Sequence, residues 1–442
     1  MSAFVCFKTV YSVKNDLNID YLKTIYTDLD SLKELIHSVM DGYLASYKIE
    51  NKKVLLKPNW VLHNKIETDE LCLRTHDNFL LAALEVILEM KPAKIVIGDA
   101  PIQGCNWDKM ISFSFKEKVN KLSARYGVEI IIKDFRRVAY DPLTNQLTKN
   151  RNSLDNFIIF DLGEKSYLEP ICDSNKSLFR VTNYDPDRLA ESHHQGVHKY
   201  CITKELFDAD VVITIPKVKT HQKTGLTNAL KILVGVNGDK DYLPHHRKGG
   251  TASGGDCYPG SHPLRSLSEN ILDLANRNIG KKIYKPLLHL SASFWKASVP
   301  DSVHNTAAAW YGNDTTWRMV LDLNQLVTFG RADGTLADTA QRELYSLCDG
   351  IIAGQGDGPL KPDPLALGIV SFSNNAALND IAVAILMGME VKMIPLLRNA
   401  QNQINETDCE LIFNNEIVTK ADLEKYAVKA TMSPGWLKYD QL

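Results

Sequence analysis

The apolar run Val211-Val-Ile-Thr-Ile215 gives way at Pro216 to Lys217, Lys219, Thr220, His221 and Lys223. Ammonium groups, a hydroxyl and an imidazole at this density suit recognition of an anion and movement of a proton beside it. Pro216 lacks an amide proton and disfavours helix at Ile215. The spacing therefore predicts a buried strand over 211 to 215 that stops there and releases the lysines into a cleft at the carboxyl end of a sheet. In this reading Lys217 and Lys219 orient an anionic substrate, and His221 transfers a proton. Thr220 adds a hydrogen bond, and Lys231 is a further cation on a helical segment expected over 224 to 234.

Two other strand ends carry similar chemistry. Lys57 and Asn59 follow Val54-Leu-Leu56, offering a cation and an amide to a substrate. Asp99 follows Lys94-Ile-Val-Ile-Gly98 and is a candidate general base or metal ligand. The stretch from Gly238 to Asp256 is polar and glycine-rich, a candidate cover for the cleft, and holds His245 and His246. His246 is taken there as a second proton carrier. Gly356 and Gly358, after an apolar strand, allow close backbone approach to an anion, and Asp380 is a polar residue in an otherwise apolar helix. His194 and His198 would share a face if helical, and with Asp99 they form a candidate site for a divalent metal.

These residues need a scaffold. Apolar positions at Ile25, Leu29, Leu32, Leu35, Ile36, Val39 and Tyr43 have helical spacing. Strands over 53–57, 94–98 and 129–132 alternate with helices over 78–90 and 113–126, a pattern that predicts parallel pairing through helical crossovers. Further on, strands are expected at 157–162, 350–353, 367–372, 392–396 and 409–413, with helices at 265–276, 317–327, 375–386 and 420–427. The expected fold is α/β, a mostly parallel or mixed sheet flanked by helices, with a smaller or interrupted layer. The expected division is an N-terminal α/β region (1–136), the smaller layer (137–205), a central α/β region (206–398) with an insertion at 280–310, and a peripheral tail (399–442).

Composition narrows the function classes. The 442 residues are 44% hydrophobic, with 51 basic and 53 acidic side chains. That balance gives no broad positive field, which argues against nucleic-acid binding. No long uncharged apolar run suggests a membrane span, and the first residues lack the pattern of a signal peptide. The eight cysteines form no closely spaced pair, arguing against an iron–sulfur cluster and for thiols in a reducing cytoplasm. A homo-oligomer is left open.

The quoted residues also carry a resemblance. Lys57-Pro-Asn59, Gly98-Asp99, Asp210 with Pro216-Lys-x-Lys-Thr-His221, Thr227 with Lys231, Gly235, His246, Asp349-Gly350, Gly356-x-Gly-Pro359 and Asp380 together resemble the domain-of-unknown-function 362 family. The resemblance implies a link to iron–sulfur proteins, in which some members carry a cysteine-rich extension, and this chain lacks such a run. The reading expected from the residues is an enzyme acting on a small phosphate- or carboxylate-bearing substrate by acid–base chemistry, with a divalent metal as a candidate cofactor. The alternatives are a non-catalytic anion- or cofactor-binding protein, or a redox accessory protein.

Overall fold

Strand residues alternate between two apolar environments, and this alternation builds the molecule's layers. In the computed structural model Val54, Leu56, Ile95, Ile97, Val211, Ile213 and Ile215 join one core, while Leu55, Val96 and Val212 join the other. The first core is covered by helices Leu29–Met40, Asp77–Glu89 and Phe113–Tyr126, and the second by Thr316–Phe329, Ala376–Leu386 and Pro395–Ala400. Residues 2–11, 17–140, 147–148, 153–172, 177–298, 307–404 and 408–436 are described. The sequence expectations over 141–146, 149–152, 299–306 and 437–442 lie outside them.

The main sheet runs Glu416–Ile417, Cys409–Phe413, Ala3–Thr9, Lys361–Ser373, Glu343–Asp357, Val211–Ile215, Lys53–Pro58, Lys94–Asp99, Glu129–Asp134. The last five strands in that order are parallel, as the helical crossovers predict. Antiparallel pairing of Glu343–Asp357 with Lys361–Ser373, and of that strand with Ala3–Thr9, makes the sheet mixed. A three-stranded sheet of Phe157–Asp161, Val197–Thr203 and His193–His194 stands beside it. The insertion helix Tyr284–Ala297 packs on Pro263–Asn276, with Ser268 Oγ donating to the Ser291 carbonyl at 2.8 Å.

The structure departs from the sequence expectations in four places. The chain does not become a loop after Pro216: Lys217–His221 is again a strand, parallel to the far half of Glu343–Asp357. Proline ends one pairing, but the neighbouring strand is 15 residues long and offers a second. The segment expected to be helical over 224 to 234 is a short strand, Gly225–Thr227, and a 3-10 stretch, Lys231–Val236. Residues 392–396 belong to a 3-10 turn, Val391–Met393, and to helix Pro395–Ala400, with no strand. His194 and His198 lie on adjacent antiparallel strands, where Val197 faces His194 and His198 faces His193.

Candidate active site

Open parallel sheets bind ligands beyond the carboxyl ends of their strands. A cavity of about 490 Å³ lies at that end, where Lys57 and Asp99 close their strands. Lys57, Lys219, Lys223, Lys231 and Lys240 reach it, with His221 and His245, against a single carboxylate among the described residues, that of Asp99. Asn59, Thr227, Pro359 and Leu360 are further parts of the wall.

Asp99 is already engaged. Its Oδ1 accepts from Lys57 Nζ at 2.7 Å and from the Ala100 amide at 2.8 Å, and its Oδ2 accepts from the Trp60 amide at 2.7 Å. Burial lowers the Lys57 pKa, and Asp99 partly offsets this. Gly235 is required beside the pair, because a Cβ there would sit 1.9 Å from Asp99 Oδ1 and 2.5 Å from Lys57 Nζ. Lys219, with no solvent exposure, donates to Asn59 Oδ1 at 3.1 Å and to the carbonyls of Leu73 and Pro359. Lys223 and Lys231 have no hydrogen-bond or ion-pair partner among the described residues. Thr227 Oγ1 is buried without one.

Crowding of like charges in a dry site destabilises the ammonium form. Burial lowers Lys219 and Lys231 to about 7 and Lys223 and Lys240 to about 8, with neighbouring lysines adding to the fall for Lys219, Lys231 and Lys240. An anion entering the cleft would supply the missing countercharge.

The two imidazoles have opposite tautomers. His221 Nδ1 accepts from the amides of Lys223 at 3.0 Å and Thr224 at 3.2 Å, so the proton resides on Nε2. His245 Nδ1 lies 2.7 Å from the Leu243 carbonyl, which can only accept, so Nε2 keeps its lone pair. Burial and the surrounding lysines hold both pKa values well below the ordinary histidine value. His221 is thus a neutral donor and His245 a neutral acceptor.

Of the residues singled out from sequence, Lys57, Asn59, Asp99, Lys219, His221 and Lys231 meet at this cavity. Lys217 does not: it is buried in an ion pair with Asp349 at 2.6 Å, beside the Tyr26 hydroxyl at 3.0 Å. Thr220 Oγ1 donates to the Gly356 carbonyl at 3.1 Å, and a Cβ on Gly358 would lie 2.0 Å from the Thr220 carbonyl oxygen. Gly358 thus admits the neighbouring strand, Gly356 takes a φ of 75°, and neither lines the cavity. Asp380, pushed up to about 8 by burial, accepts from the amides of Ala229 and Leu230 at 2.8 and 3.1 Å and so fixes the turn before Lys231.

His246 is buried outside the cavity wall, and its neighbour His245 takes the place expected of it. The candidate metal set does not assemble. His194 is exposed, with Nδ1 bonded to the Gln195 carbonyl, and buried His198 is 3.0 Å from Glu169. Lys223, Lys240 and His245 are basic cleft residues that the sequence-based site omitted. The glycine-rich segment from 238 did signal two of them, and Lys223 lies two residues past His221.

The fold and cleft define an α/β protein with a lysine-lined pocket at the ends of its parallel strands. Residues 161–384, half of the chain, match the family described as domain of unknown function (DUF362), and the chain belongs to that family. No curated protein matches it. A structural-genomics crystal structure of a Thermotoga maritima protein is similar at 8% identity and a TM-score of 0.35 over 77% of this chain. This chain spans 56% of that protein's length, and so slight a likeness carries no argument. No helix among the described residues is long and apolar enough to cross a membrane.

Proposed function

We propose that the cleft binds a small molecule bearing phosphate or carboxylate groups and acts on it by acid–base chemistry. One observation carries the reading: five lysines and one already paired carboxylate share a cavity of about 490 Å³, and two of the lysines have no hydrogen-bond or ion-pair partner among the described residues. A buried cluster of this kind is costly without a ligand, and an anion relieves the cost.

The histidines suggest a division of labour. Nε2 of His245 is the group able to take a proton from a bound substrate, and an adjacent anion would raise its basicity toward neutrality. Nε2–H of His221 would stabilise negative charge developing on oxygen, as neutral donors do in dry sites. Lys223 and Lys231 would hold the anionic group, with Lys219 and Asn59 fixing its orientation. A divalent ion at Asp99 would have to displace Lys57 and resist four other lysines, so a metal would enter only with a substrate that carries it.

The test is a survey of phosphate- and carboxylate-bearing metabolites, measuring binding by calorimetry and turnover by product detection. Native protein should bind and convert one chemical class, and His245→Gln should lose turnover by roughly 10²-fold or more with affinity nearly kept. Binding without turnover in the native protein would reduce the cleft to an anion carrier, and absence of binding would sink the proposal.

A further inference from the structure

A second cluster lies away from the cleft wall. A ring nitrogen of His246, Sγ of Cys257 and a carboxylate oxygen of Glu269 all lie within 4.8 Å of one another, and all three side chains are buried. They come from three places in the chain: the short strand His246–Arg247, the loop that follows it, and helix Pro263–Asn276. His246 Nδ1 is buried with no hydrogen-bond partner among the described residues, an arrangement that usually needs an unseen occupant.

We propose that His246, Cys257 and Glu269 bind a zinc-class divalent transition ion. Imidazole with thiolate selects such an ion over magnesium or calcium, and three protein ligands leave a fourth tetrahedral position for water. Bond lengths of about 2.0 to 2.3 Å would place the ligand atoms roughly 3.3 to 3.8 Å apart, a small contraction from the present cluster. On binding, the Cys257 S–H bond breaks, an S–metal bond forms and the proton leaves to solvent. Thiolate and carboxylate then balance the two positive charges, with no redox change. Glu269 is oriented for this, since both of its oxygens accept from the Gly249 amide at 3.1 Å.

His246, Cys257 and Glu269 lie outside the cleft wall, although Lys223 of that wall is within electrostatic reach of His246 and Cys257. The filled site would steady the cleft, because His246 directly follows His245 and the ion would clamp their loop to the helix. The other mixed cluster, Glu169, Cys172 and His198, is less enclosed, and its imidazole already meets Glu169.

The test uses the full chain, reduced and stripped with chelator, then loaded with zinc, or with cobalt as a spectroscopic probe. The expected result is one zinc per chain, a thiolate-to-cobalt charge-transfer band, and an X-ray absorption shell with one sulfur at about 2.3 Å. Cys257→Ser should abolish the band and Glu269→Gln should weaken zinc binding, while Cys172→Ser should change neither. A native shell without sulfur, a band that survives Cys257→Ser, or one lost with Cys172→Ser would each overturn the proposal. If Cys257→Ser fails to fold, the native protein and the Cys172→Ser control still decide, because neither alters the site.

Discussion

Replacing Lys223 by Met should make the protein more stable and a poorer anion binder. Lys223 is buried, has no hydrogen-bond or ion-pair partner among the described residues, and has its pKa lowered from 10.5 to about 8 by burial. A shift of that size corresponds to about 3 kcal/mol of differential interaction. The unfolded chain binds this proton more tightly than the folded one. The penalty is therefore full below pH 8 and fades as pH rises from 8 toward 10.5. Met has similar length and no charge, so Lys223→Met should gain on the order of 1 to 3 kcal/mol at pH 7, after local relaxation is allowed for. The gain should vanish near pH 10.5. Urea denaturation of both proteins at pH 7 and at several values up to 10.5 would measure it. A variant less stable than wild type at pH 7, or a difference that does not narrow with pH, would refute the reasoning. Such a stability gain, joined to lost anion affinity, is the signature of a residue kept for function.

Three further outcomes follow from the same geometry. Gly235→Ala should cost on the order of 3 kcal/mol in denaturant unfolding, because its Cβ would collide with the Lys57–Asp99 pair. Anion affinity should fall as pH rises from 7 to 9, by up to about tenfold per pH unit for each lysine that must take up a proton; calorimetry in buffers of different ionisation enthalpy would report the uptake. Long-range proton–nitrogen NMR should find both cleft histidines neutral at pH 6.5, with His221 protonated at Nε2 and His245 at Nδ1.

The scaffold was legible where local pattern and burial agree. The strand Val211–Ile215 and the helix Phe113–Tyr126 have the bounds that their sequences predict, and two of the three strand ends, at Lys57 and Asp99, line the cavity, while the third reaches it only through the next strand, at Lys219 and His221. What was not legible depended on partners far along the chain. Pro216 signals the end of a strand, but only the length of Glu343–Asp357 decides that another begins at once. Residues 224 to 234 have helical spacing, yet Asp380 captures the amides of Ala229 and Leu230 and Gly225 adopts a φ of 77°. Successive residues in extended chain face opposite ways, so one of His245 and His246 could be expected in the cleft. The sequence alone did not say which. Lys217 shows the same limit, because nothing near it announces Asp349 as its partner.

The central claim is that the lysine cleft is built for an anion. It is tested most directly by calorimetric titration of the native protein at low salt and pH 7 with inorganic phosphate, pyrophosphate and a small dicarboxylate, alongside Lys223→Met and Lys231→Met. The account predicts saturable binding of at least one probe at one site per chain, with proton uptake, weakened in both variants. No saturable binding of any probe, or binding unchanged in both variants, would contradict it.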